Sequence, residues 1–74
     1  MELFEELGGL MTRDLVMVSS DAGFCVGWTG EVVGFFEGRF ARVLLDRNVL
    51  GEEVHQVVDF LPSMLKRVAW VWPG

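Results

Sequence analysis

The sequence predicts a small all-β domain of four to five antiparallel strands closed into a barrel, with a short N-terminal helix in front. Three observations carry this reading. The chain has 74 residues, 51% of them hydrophobic, so it forms one domain with a real core. Its β-branched and aromatic runs alternate with turns rich in glycine. Those runs also follow one another too closely for crossover helices, which excludes a parallel sheet. Residues 1–12 read as the helix and its linker, and residues 13–74 as the barrel.

The first element is expected to be a helix over Glu2–Leu10. Leu3, Phe4 and Leu7 fall on one side, and Glu2, Glu5 and Glu6 on the other. Early acids suit a helix N-terminus, and Gly8-Gly9 would stop it. A helix this short is unstable alone and must dock. After Thr12 the period changes. Leu15–Val18 is a β-rich run ending in the turn cluster Ser19–Gly23. Phe24–Thr29 reads as a loop. Glu31–Glu37 is the second strand, and Glu37-Gly38 the turn after it. Arg39–Asp46 is the third, with Ala41, Val43 and Leu45 on one face and Phe40, Arg42 and Leu44 on the other. Asn48 and Gly51 mark a loop. In the fourth strand, Val54–Leu61, one face carries Val54, Gln56, Val58 and Phe60, and the other His55, Val57 and Asp59. Pro62 ends it. Ser63–Lys66 fits one helical turn, and Val68–Val71 a last short strand.

Composition limits the function. A domain of this size is marginal and usually needs a disulfide, a metal or a partner subunit. Cys25 is the one cysteine and His55 the one histidine, too few for a four-ligand zinc site. Oligomerisation is the remaining staple. The formal charge is -5, and neither half has the basic stripe that phosphate binding demands, so nucleic acid is not the expected partner. No run is apolar enough to span a bilayer, and the acidic N-terminus does not resemble a signal peptide. A single cysteine fits a reducing compartment, and a cytoplasmic location is expected. Cys25 lies between Phe24 and Val26 with no adjacent base, so a partly buried thiol is expected rather than a nucleophile.

The stretch Trp28-Thr29-Gly30-Glu31-Val32-Val33-Gly34-Phe35-Phe36 is the most informative. Gly30 is expected to supply a turn conformation closed to other residues, and Gly34 a bulge where a tightly coiled strand bends. This stretch resembles the plasmid-borne type II, trimethoprim-insensitive dihydrofolate reductases, which carry Trp-Gln-Gly-Gln-Ile-Val-Gly-Trp-Tyr. Trp28, Gly30, Val33 and Gly34 match, and Val32, Phe35 and Phe36 are close replacements. Asp14-Leu15-Val16 and Met64-Leu65-Lys66-Arg67-Val68 resemble the family's first strand and C-terminal segment more weakly. KOW-type barrels share the outline.

The resemblance implies an SH3-like barrel and a homotetramer around one pore, in which NADPH and dihydrofolate meet. Hydride transfer there is largely a matter of positioning. The family lines its pore with a Val-Gln-Ile-Tyr segment. An ungapped alignment places Val57-Val58-Asp59-Phe60 there, and a two-residue gap places His55-Gln56-Val57-Val58. Gln56, Val57 and Phe60 are therefore the candidate cofactor-binding residues of a reductase. Neither alignment keeps both polar groups, and the first strand lacks the lysine that attracts the ligands. Asp59 facing a shared pore would repel them.

His55 and Asp59 lie about 13 Å apart along one strand, too far to share a metal, and no metal site is expected. Trp28, Phe36, Trp70 and Trp72 present more apolar surface than one small barrel hides, which marks them as interface candidates. The leading expectation is a binding or assembly module without catalytic residues or a cofactor. It would act as a homo-oligomer, dimer or tetramer, with a protein partner possible and no membrane. The alternatives are a diverged type II reductase using NADPH and a KOW-like nucleic-acid or ribosome-associated module.

Overall fold

Gly8 and Gly9 decide the first element. Their φ angles are 61° and 85°, so the backbone reverses there. Strands β1 (Glu6–Leu7) and β2 (Leu10–Met11) pair antiparallel across them, with Leu7 opposite Leu10. The helix expected over Glu2–Leu10 is thus replaced by a hairpin from Glu6 onward. The computed structural model describes residues 6–68, so the start of that helix lies outside the described residues. Two consecutive left-handed glycines make a strand-to-strand turn, and the hairpin brings Leu10 into the core at 5% exposure.

Five further strands form one antiparallel sheet. They are β3 (Leu15–Val18), β4 (Thr29–Phe36), β5 (Phe40–Arg47), β6 (Glu53–Phe60) and β7 (Leu65–Arg67). Their order is β6-β5-β4-β3-β7. The all-β expectation therefore holds. Among the described residues no ladder joins β6 to β7, so the sheet has two edges.

The connections follow from local chemistry. Ser19–Gly23 becomes a 3-10 turn over Ser20–Ala22, with the Ser19 hydroxyl accepting from the Asp21 N–H at 3.3 Å. Between β4 and β5 the Arg39 N–H donates to the Phe36 carbonyl at 3.1 Å. Glu37 and Gly38 at its centre have φ of 57° and 64°, the left-handed pair of a type I′ turn. Asn48 organises the β5–β6 loop: its Oδ1 accepts from the Leu50 and Glu52 N–H groups, each at 2.9 Å.

The last strand starts earlier than expected. A 3-10 turn spans Pro62–Met64, and Leu65 already pairs with Val18. Val68 follows the strand, and 69–71 lie outside the described residues. Pro62 suits the first position of a 3-10 turn, where no N–H is needed. The turn closes quickly enough that Leu65 is buried against Val18.

Alternation then builds the core. Val16 and Val18 of β3, Val32 of β4, Ala41, Val43 and Leu45 of β5, and Phe60 of β6 face inward and are buried, with Leu10 and Leu65 closing the ends. Among the described residues no buried side chain is polar. Phe24 stacks on Phe60 with ring centroids 5.3 Å apart, so the aromatic loop after the first 3-10 turn closes one side. Cys25, half-buried with φ 54°, packs beside it against the core.

Gly30 serves a purpose other than the expected one. Its φ lies outside the left-handed region. A Cβ there would strike the Leu44 carbonyl oxygen, approach the Leu45 Cα to 2.8 Å and approach Val43 Cγ1 to 2.9 Å. Glycine is needed for close approach of β4 to β5. Gly34 fits its expectation: the ladder shifts between Val32 and Gly34, leaving Val33 as the extra residue of a bulge.

Candidate interaction face

Strand register sorts the candidate residues. Directly paired residues of an antiparallel ladder share a face. Phe36 pairs with Phe40, Gly34 with Arg42, Arg42 with Asp59, and Leu44 with both Glu31 and Val57. These pairs alternate with the buried Ala41, Val43 and Leu45, so they form the outer face of β4–β5–β6. Val33 bulges out at 46% exposure.

The outer face is apolar along one row and charged beside it. Val57 is 59% exposed and Phe36 42%. Arg42 binds Asp59 with two parallel bonds, Nε to Oδ1 at 2.8 Å and Nη2 to Oδ2 at 3.0 Å. The same guanidinium lies over the Phe36 ring, 4.9 Å from its centroid. Hydrogen bonding from Arg42 holds the Asp59 carboxyl below its ordinary range, and Asp59 in turn raises Arg42. Asp59 is therefore the ionised partner of Arg42 on the open face.

The proposed nicotinamide-binding residues do not converge. Phe60 is buried in the core, opposite Ala41. Gln56 shares that side, opposite Leu45, but is exposed. Val57 points to the outer face. Of the interface candidates, Trp28 is half-buried and packs against the core, while Phe36 stands on the outer face under Arg42. Trp70 and Trp72 lie outside the described residues.

Sequence reading missed the Arg42–Asp59 pair. The signal was present in the alternation of β5 and β6, but using it required the register of both hairpins. A separate cleft of about 260 Å³ opens where β3, β4 and β5 meet Val68. Leu15, Thr29, Asp46 and Arg47 line it, and the Thr29 hydroxyl donates to Asp46 at 3.4 Å. Both ladders of β5 shift at Asp46 and resume at Arg47. Among the described residues no group of three His, Cys, Asp or Glu side chains is placed to hold a metal ion, and no helix is long and apolar enough to cross a membrane. No family model, curated protein or solved structure matches the chain.

Proposed function

We propose that this chain is a non-catalytic binding or assembly module, an SH3-like barrel that works as a homo-oligomer. The strand order and the 3-10 turn between β6 and β7 support the SH3-like reading. The observation that carries the assembly reading is the outer face, where Val33, Phe36 and Val57 stay exposed beside Leu44 on a domain with little surface to spare. A cytoplasmic setting accords with the single cysteine. Light scattering on the full chain at micromolar concentration tests the assembly. A dimer or tetramer is expected, and a strict monomer removes the reading.

A second reading, a diverged type II dihydrofolate reductase, draws on the Trp28–Phe36 stretch and on Gly34 standing at a bulge. Val57 faces away from Gln56 and Phe60, and Phe60 is buried in the core, which weighs against it. NADPH oxidation with dihydrofolate, catalysed by the purified oligomer, would reinstate it.

A further inference from the structure

An edge strand presents unpaired backbone N–H and C=O groups, and proteins blunt such edges with short length, lysine, proline or bulges. The two edges of this sheet differ. β7 has three residues, two of them Lys66 and Arg67. β6 has eight residues, with no lysine and no proline among them; its one irregularity, where Val54 and His55 stand against Asp46, leaves Gln56–Phe60 in regular register. Among the described residues its ladder partner is β5 alone. His55, Gln56 and Val57 in its middle are all exposed.

We propose that β6 pairs antiparallel with β6 of a second copy, about a two-fold axis through Val57, so that the two five-stranded sheets become one. This rests on the assembly reading above and names its partner and its site.

The register follows from charge. A two-fold axis perpendicular to the sheet brings each residue opposite one from the same face, so the axis must pass through a residue. Centred on Gln56, it would set Glu53 against the partner's Asp59 twice, two like-charge contacts. Centred on Val58, it would set Val57 against the partner's Asp59 and leave much of the strand unpaired. Centred on Val57, it sets His55 opposite the partner's Asp59, Gln56 opposite the partner's Val58, and Val54 opposite the partner's Phe60. No like charges meet. Leu44 pairs with Val57 within each copy, so the outer row becomes Leu44, Val57, the partner's Val57 and the partner's Leu44, a continuous apolar strip. Arg42 already holds Asp59 in place, and the partner's His55 stands opposite that pair.

Single cysteines test the axis. In the full chain carrying Cys25→Ser, the variants Gln56→Cys, Val57→Cys and Val58→Cys are oxidised mildly and run without reductant. Opposed residues of an antiparallel pair lie within disulfide reach, and a residue displaced by two positions from its own copy does not. Val57→Cys is expected to cross-link at least tenfold faster than the other two. Preferential cross-linking at Gln56 or Val58, or none at all, overturns the proposal. Light scattering of the reduced variants separates the two failures. Oligomers without the Val57 cross-link refute this pairing and leave the assembly reading standing; monomers refute both. Val57→Lys is an independent check, because an exposed edge lysine leaves the fold intact and blocks strand pairing. At least a tenfold weaker association is expected, and unchanged association overturns the proposal.

Discussion

Gly30→Ala tests the close approach of β4 to β5 directly. The new methyl carbon would meet three atoms closer than van der Waals contact allows, the Leu44 carbonyl oxygen, the Leu45 Cα and Val43 Cγ1. Two of the three belong to the β5 backbone, which cannot rotate aside, and the third is a buried core side chain. Overpacking a core costs about 1–3 kcal/mol, and an obstruction made of backbone belongs at the upper end, about 3 kcal/mol. For a domain of 74 residues each kcal/mol moves the melting temperature by about 4–8 °C, so a drop of roughly 12–24 °C follows. The total stability of such a domain is only about 4–11 kcal/mol, so the loss is a large share of it. Thermal melting followed by circular dichroism measures this, with Gly34→Ala as the paired control. A Cβ on Gly34 meets nothing within 4 Å, so that variant is expected within about 1 kcal/mol of the parent. A Gly30→Ala melt within about 3 °C of the parent would refute the packing account of β4 and β5.

Other outcomes follow from single side chains. Glu37 occupies a left-handed position, so Glu37→Asn is expected to stabilise the chain by about 0.5–1 kcal/mol in chemical denaturation. A loss of stability would contradict the type I′ turn. Asp59 has a lowered pKa, so its contribution is present above the ordinary value of 3.8 and disappears as pH falls through the lowered value. The stability gap between parent and Asp59→Asn should therefore be largest near neutral pH and close in strong acid, and added salt should shrink it because the pair is partly exposed. A gap that widens in acid would show that Arg42 does not act through the Asp59 carboxylate.

Much of the sheet was legible in the residues. Alternation separated Ala41, Val43 and Leu45 from Phe40, Arg42 and Leu44, and the structure buries the first set, because a strand with one wet face shows its period plainly. Phe60 and Val58 likewise group on one face, and both pack inward. The N-terminus misled because Leu3, Phe4 and Leu7 have helical spacing, while Gly8-Gly9 terminates a helix or turns a hairpin equally well. Only the burial of Leu10 separates the two, and that is a tertiary fact. Gly30 was recognised as special for the wrong reason, since its requirement comes from β5, another part of the chain. The Arg42–Asp59–Phe36 cluster needed cross-strand register, which a bulge at Val33 shifts by one residue.

On this reading the five-stranded sheet is extended by a second copy of the chain through β6. Sedimentation equilibrium of the unmodified chain, at micromolar concentration and in reductant, tests this most directly. A species at twice the 8.3 kDa chain mass or a higher even multiple is expected, dissociated by Val57→Lys. A single species at 8.3 kDa across the concentration range would contradict it.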